Sequence, residues 1–147
     1  MVDTCVFCEI VLGRSPASVV HEDDLSLCLM TLRPTRPGEC IVIPKDHIDH
    51  FIDIPEELLT HLTKVTRSVG RALQSEFAPI RVGMVVHGFG VPHAHFILVP
   101  QHDVYDITSG RGAVVEGGEV VFRHSLIPEV PREQLDQHAS RIRARLG

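Results

Sequence analysis

The stretch Val91-Pro92-His93-Ala94-His95-Phe96-Ile97-Leu98-Val99-Pro100 decides the fold of this chain. Its apolar, β-prone residues and its closing proline predict a strand over residues 91–99. Successive side chains of a strand point to opposite faces, so we expect His93, His95 and Ile97 on one face and core packing on the other. Two imidazoles side by side indicate chemistry, although the pattern is also compatible with two histidines on a solvated face.

The composition is that of an ordinary globular protein. The chain has 147 residues, of which 44% are hydrophobic and 22% are charged, and this length suits a single domain. The formal net charge of −5 argues against a nucleic-acid partner, because binding along a nucleic-acid backbone requires a basic surface. A small phosphorylated ligand needs only a local site and is compatible with this charge.

The sequence indicates a cytoplasmic protein without a membrane partner. No apolar run approaches the roughly 20 residues of a membrane span. Residues 1–5 lack the basic and apolar regions of a secretory signal. In the reducing cytosol the four cysteines are expected to stay reduced, which favours metal binding or core packing over disulfides.

Hydrophobic patterning predicts an α+β fold. Apolar residues at helical spacing predict a long helix from Pro55 to about Phe77, with shorter helices near 5–12 and 131–146. Apolar or alternating runs predict strands at 17–22, 25–30, 39–44, 81–86 and 91–99, of which the first two form a hairpin. After Pro100 the glycines predict a loop region with a short strand at 119–122. Such a mixture favours an antiparallel sheet with a few helices.

Cys5 and Cys8 form a Cys-x-x-Cys pair, a spacing at which both sulfurs can bind one tetrahedral zinc ion. A zinc finger is excluded, because no histidine pair follows about 12–15 residues later. Two further ligands would have to come from elsewhere, and His47 and His93 are both candidates as neutral imidazoles. The alternative is a pair of buried thiols at a helix start.

Together these pieces resemble the histidine-triad (HIT) family of nucleotide hydrolases and transferases, in the branch of bacterial members that begin with Cys-x-x-Cys and bind zinc. The resemblance covers about residues 5–100, and its pieces occur in the family's order. They are Cys5-Val6-Phe7-Cys8-Glu9-Ile10, Val20-His21-Glu22-Asp23-Asp24, Pro37-Gly38 with Ile41-Val42-Ile43-Pro44-Lys45-Asp46-His47, and the glycine loop and signature from Gly88 to Pro100.

The resemblance implies a HIT-like fold, with a five-stranded antiparallel sheet, one long helix and one or two shorter helices. It implies a single domain over 1–147, with a core at 5–100 and a C-terminal loop and helix at 101–147, usually within a homodimer. The structural zinc ligands then fall on Cys5, Cys8, His47 and His93.

In the family the middle histidine, here His95, attacks the α-phosphate of a nucleotide and forms a nucleotidyl intermediate, which water or another acceptor resolves. The implied substrates are nucleotides such as nucleoside phosphoramidates and dinucleoside polyphosphates. A neutral imidazole suits this role when a backbone carbonyl holds its other nitrogen protonated, and residue 93 supplies that carbonyl in the family. Gly88 and Gly90 lack a Cβ, so their backbone can approach a phosphate.

The chain departs from the family pattern at the ligand site, where the triad reads His-x-His-x-Ile. Ile97 replaces the third histidine and cannot protonate a leaving group, and Thr31 replaces the acidic residue that holds ribose hydroxyls. The glycine loop is shortened, and His87 within it is a candidate for a replacement phosphate contact. The expected nucleotide-binding positions are therefore His87, Gly88, Gly90, Thr31 and Ile97.

Three functions follow from this pattern. The first is a nucleotide hydrolase or transferase acting through His95, the second a zinc-stabilised nucleotide-binding module without efficient turnover, and the third a plain dimeric interaction domain. Cys28 and Cys40 are interpreted as buried packing residues. The segment Ser109-Gly110-Arg111-Gly112 could reach a phosphate. The remaining histidines are interpreted as surface or incidental, namely His50, His61, His102, His124 and His138.

Overall fold

The computed structural model describes residues 5–108 and 112–147. Within these ranges lie three α-helices, α1 (Val6–Val11), α2 (Glu56–Phe77) and α3 (Arg132–Arg143). Seven strands accompany them: β1 (Val19–Glu22), β2 (Ser26–Met30), β3 (Cys40–Pro44), β4 (Arg81–Val85), β5 (Phe96–Gln101), β6 (Ala113–Glu116) and β7 (Glu119–Phe122). Short 3₁₀ turns occur at Phe51–Asp53, Asp106–Thr108 and His124–Leu126.

Five strands form one antiparallel sheet in the order β1-β2-β3-β5-β4, which confirms the predicted α+β class and the predicted hairpin. The strands β6 and β7 form a separate hairpin. The strand at 119–122 was predicted, whereas β6 lies where only a loop was expected. Gly117 and Gly118 have positive φ of 58° and 87°, so they supply the tight turn that joins the two strands. The proposed phosphate contact at 109–111 lies outside the described residues.

The long helix α2 follows the predicted apolar stripe. Pro55 precedes its first turn, and Glu56 and Glu57 lie at the positive end of the helix dipole. Leu62, Val69 and Leu73 are fully buried against the sheet, so the stripe is core. None of the helices within the described ranges combines the length and apolarity needed to cross a membrane.

The two faces of the sheet bury different sets of side chains. On one face α2 and α3 cover a large cluster that includes Cys28, Cys40 and Phe96, which confirms both cysteines as packing residues. On the other face α1 inserts Phe7 against Leu27, Leu29 and Ile43. Alternate residues of β2 thus serve opposite faces, as a strand covered on both sides requires. The face under α1 carries the candidate site.

The predicted strand over 91–99 is wrong at its start. The strand β5 begins at Phe96, and residues 91–95 form an irregular bend. Pro92 has no N–H to donate to a ladder, and the N–H of His93 turns back to the carbonyl of Val91 at 2.8 Å. His93 and His95 therefore precede the strand rather than sharing a strand face with Ile97.

A glycine contact provides a test of this packing. Gly38 has φ 97°, and a Cβ there would lie 2.7 Å from Phe77 Cε2 in α2. Gly90 has the same φ of 97°, but a Cβ there meets nothing within 4 Å. We expect Gly38→Ala to lose about 1–3 kcal/mol more stability than Gly90→Ala, because both variants strain the backbone and only the first overpacks. Urea unfolding measures the difference, and equal losses would contradict the packing described here.

Candidate metal centre and active site

Four side chains from three separate segments converge under the sheet. Cys5 and Cys8 flank the start of α1, His47 follows β3, and His93 lies in the bend before β5. One ligand atom from each residue lies within 4.8 Å of the others. Cys5 and His93 are buried, Cys8 is half-buried and His47 is exposed. The cluster therefore connects α1 to the end of β3 and to the bend before β5.

The distances in this cluster match the edges of a tetrahedron around a metal. The Cys5 and Cys8 sulfurs lie 3.5 Å and 3.6 Å from His93 Nδ1, and the Cys8 sulfur lies 3.2 Å from His47 Nδ1. With zinc–sulfur bonds near 2.3 Å and zinc–nitrogen bonds near 2.05 Å, a tetrahedral sulfur–nitrogen edge is about 3.6 Å. The donor set and its spacing therefore fit a zinc ion.

The protonation states in the cluster suit metal binding. His93 Nε2 lies 2.9 Å from the Pro44 carbonyl and donates to it, so Nδ1 presents its lone pair to the thiols. Burial lowers the pKa of the His93 imidazole and favours this neutral form. Burial and the adjacent Cys5 thiol raise the pKa of Cys8, so without a cation this thiol stays protonated. A bound metal would reverse that preference by stabilising the thiolate.

The orientation of His95 follows directly from His93. His95 Nδ1 lies 2.7 Å from the carbonyl oxygen of His93 and donates to it. The ring is 8% exposed and packs edge-on against Phe7, with 5.5 Å between ring centroids. Its Nε2 makes no hydrogen bond to any residue in the described ranges and is left with a lone pair. This geometry gives the chain a buried, oriented imidazole whose Nε2 is free to act as a nucleophile when the ring is neutral.

His95 lines a small cleft of about 30 Å³, room for a water molecule or a phosphoryl oxygen. The cleft lies between the turn after β3, the loop after β4 and the bend before β5. Its lining residues are Asp49, His50, Phe51, Val86, Gly88, Val91, His93, Ala94 and His95. Phe51 is the only apolar ring among these lining residues, which also include three imidazoles.

The structure brings only part of the predicted binding set to this cleft. Gly88, with φ 77°, lines it beside His95. His87, Gly90, Thr31 and Ile97 are not among the lining residues. Ile97 pairs with Ile41 and Val85 within the sheet, and the Thr31 N–H donates to the Glu39 carbonyl.

Sequence reasoning missed several histidines. His50, interpreted as surface or incidental, is exposed, but it also lines the cleft with His95. His61 is not incidental, because its Nε2 and that of His21 both lie 2.9 Å from Asp23 Oδ2, linking α2 to the β1–β2 turn. His138 is not a surface residue; it is buried in α3 against Phe77. These placements depend on tertiary packing, so the sequence could not show them. Only the Asp-Asp turn beside His21 was a local signal of a histidine–carboxylate contact.

Comparison with known proteins agrees with this architecture. The family model described as HIT domain matches residues 13–104. An uncharacterized HIT-like protein of Methanocaldococcus jannaschii is 31% identical over 79% of this chain and 88% of its own length. An adenosine 5'-monophosphoramidase of Schizosaccharomyces pombe is 33% identical over 67% and 74%. A zinc-bound histidine triad protein of Mycobacterium smegmatis superposes with a TM-score of 0.72 at 26% identity, covering 97% and 93% of the two chains.

The hydrogen bond from His95 predicts its tautomer. We expect the neutral form of His95 to carry its proton on Nδ1, because Nδ1 faces the His93 carbonyl. Long-range proton–nitrogen NMR correlation spectra distinguish the two tautomers, with exposed His124 as an internal reference. A proton found mainly on Nε2 would contradict the described orientation.

Proposed function

Because the chain belongs to the HIT family, we propose that it is a nucleotide hydrolase or nucleotidyl transferase that forms a covalent intermediate on His95. The observation that carries this proposal is the 2.7 Å hydrogen bond from His95 Nδ1 to the His93 carbonyl. It fixes the tautomer in which Nε2 is unprotonated. A nucleophile must present such a lone pair to an accessible space, and His95 lines the cleft.

The reaction has two balanced steps. In the first, the Nε2 lone pair attacks the α-phosphorus, a nitrogen–phosphorus bond forms, and the bond from phosphorus to the leaving group breaks with a proton passing to that group. In the second, water or another acceptor bonds to phosphorus and releases a proton to a base or to solvent, and the electron pair of the nitrogen–phosphorus bond returns to Nε2. Throughout, the Nδ1–H of His95 remains donated to the His93 carbonyl, which stabilises the positive charge that develops on the ring.

The substrate class is a nucleoside phosphoramidate or a dinucleoside polyphosphate. The similar proteins of Schizosaccharomyces pombe and Saccharomyces cerevisiae, whose names describe adenosine 5'-monophosphoramidases, support the first member of this class. The backbone around Gly88 and Gly90, both with positive φ, supplies N–H groups for phosphate oxygens. Thr31, His87 and Ile97 do not line the cleft, so in this proposal they contact parts of the nucleotide that extend beyond it.

We infer that zinc occupies the site of Cys5, Cys8, His47 and His93 in a structural role. Four protein ligands leave no open position, which is typical of structural rather than catalytic zinc. When bound, the ion joins α1, the end of β3 and the bend that carries His95. It thereby holds in place the carbonyl to which His95 is hydrogen-bonded.

We further infer a cytoplasmic homodimer. The strand β4 is an edge of the five-stranded sheet, and its residue Met84 and the preceding Ile80 expose 53% and 68% of their surface. An apolar edge strand is a ready template for pairing with a second copy. The free Cys28 and Cys40 agree with a reducing compartment.

One observation favours a second candidate, a zinc-stabilised nucleotide-binding module without efficient turnover. Ile97 has no proton to give and lies in the sheet between Ile41 and Val85 rather than in the cleft. Tight nucleotide binding without a covalent nucleotidyl species would favour this alternative.

The enzymatic proposal is tested by removing the nucleophile. We expect His95→Ala to lower the hydrolysis of adenosine 5'-phosphoramidate by roughly 10³-fold or more, because the variant lacks the nitrogen that forms the intermediate. His124→Gln, an exposed histidine outside the cleft, serves as control and should retain the wild-type rate. Equal rates in wild type and His95→Ala would remove the nucleophilic role.

The metal proposal is tested by elemental analysis of protein purified without added metal. We expect about one zinc per chain in wild type and His124→Gln, and a large loss of zinc in His47→Gln. His47 is exposed, so its replacement removes a ligand with little repacking. Loss of the ion should also cost about 2–3 kcal/mol of stability under conditions where zinc exceeds its dissociation constant 100-fold. Full zinc content in His47→Gln would contradict the ligand set.

A further inference from the structure

The proposed reaction requires a proton donor that the triad position does not supply. When the bond from phosphorus to an amine or alkoxide breaks, the departing atom receives an electron pair and must be protonated unless it leaves as a stable anion. Ile97 carries no proton, and its neighbours in the sheet are Ile41 and Val85. The donor must therefore be sought among the residues that share the cleft with His95.

The cleft contains four titratable side chains, Asp49, His50, His93 and His95. Both nitrogens of His93 are engaged, Nδ1 with the cysteine thiols and Nε2 with the Pro44 carbonyl. His95 uses Nδ1 for its orienting hydrogen bond and Nε2 for attack. A carboxylate such as Asp49 only accepts hydrogen bonds near neutral pH. His50 is the remaining imidazole, and histidine is the side chain that exchanges protons most readily near neutrality.

The backbone around His50 is fixed against the segment that carries the nucleophile. The Ala94 N–H donates to the Ile48 carbonyl at 2.6 Å, directly between His93 and His95. The Asp53 N–H donates to the His50 carbonyl at 3.0 Å, which starts the 3₁₀ turn at Phe51–Asp53. The backbone of His50 is thus tethered on both sides, and its side chain lines the cleft.

The His50 ring is accessible to solvent and can exchange protons with it. Its side chain is 65% exposed, so bulk water can exchange protons with it between turnovers. The Asp49 carboxylate, 3.8 Å from His50 Nε2, is the charged side chain next to this ring at the cleft.

We propose that His50 is the general acid of the reaction, in place of the absent third triad histidine; this inference rests on the proposed function. As the bond from phosphorus breaks, the His50 imidazolium gives its proton to the leaving nitrogen or oxygen and becomes neutral. In the second step the neutral imidazole takes a proton from the attacking water as that water bonds to phosphorus. The cycle returns both histidines to their starting states.

Two substrates with different leaving groups test this role. An adenosine 5'-phosphoramidate of an alkylamine needs a proton at nitrogen as its bond breaks. The 4-nitrophenyl ester of AMP releases a stable anion and needs none. We expect His50→Gln to slow formation of the His95 intermediate from the first substrate by about 10²-fold or more, because general acid catalysis typically contributes that much. Formation of the intermediate from the second substrate should be affected only slightly, and the matched control His124→Gln should leave both rates of formation unchanged.

Each outcome decides the inference. A selective loss on the alkylamine substrate supports it and also shows that the variant is folded. An equal loss on both substrates would mean that His50 only shapes the cleft, and no loss would mean that it takes no part; either result overturns the inference. If His95→Ala reacts as fast as wild type, the proposed function itself is overturned. The two failures are therefore distinguishable.

Discussion

The site depends on the polar contacts of one buried residue, His93. Its Nδ1 lies 3.5 Å from the Cys5 sulfur, its Nε2 donates to the Pro44 carbonyl at 2.9 Å, and its own carbonyl accepts the Nδ1–H of His95 at 2.7 Å. Because His93 is fully buried, no water can replace a hydrogen-bond partner that it loses. Its contacts therefore constrain one another. Rotating the His93 ring would break the thiol cluster and the link to β3 together.

This constraint connects the N-terminal helix to the reactive imidazole. The short helix α1 has little intrinsic stability, and it remains in place because Phe7 is buried and its cysteines meet His93. Phe7 in turn packs edge-on against the rings of both His93 and His95. The cluster of Cys5, Cys8, His47 and His93 is therefore packed together with the nucleophile. A substitution that disrupts the cluster should also displace His95.

The sequence allowed prediction of those parts of the molecule that follow from local chemistry. The period of α2, the hairpin at Asp23 and the apolar strands are local patterns, and the structure confirms them. Pro92 has no N–H to donate, so the sequence already indicated that the strand ladder could not extend back through His93. Of the β6–β7 hairpin only β7 was predicted. The strand β6 (Ala113–Glu116) was missed because the neighbouring glycines favoured a loop.

The cleft could not be predicted in the same way. Its composition depends on the contact between the Ile48 carbonyl and the Ala94 N–H, a pairing of segments far apart in the chain that no periodicity encodes. His50 looked incidental because nothing in its local sequence connects it to His95. His138 looked exposed for the same reason, since its burial against Phe77 depends on how α3 docks on α2.

The most direct test of a nucleophilic His95 is to trap the intermediate. Wild-type protein is mixed with a nucleotide labelled at its α-phosphate, quenched within one turnover at alkaline pH, where nitrogen–phosphorus bonds survive, and digested for peptide mass mapping. The account predicts one nucleotidyl group on the ring of His95 and none on that peptide from His95→Ala. Turnover without any labelled histidine, or a label on a different histidine, would contradict it.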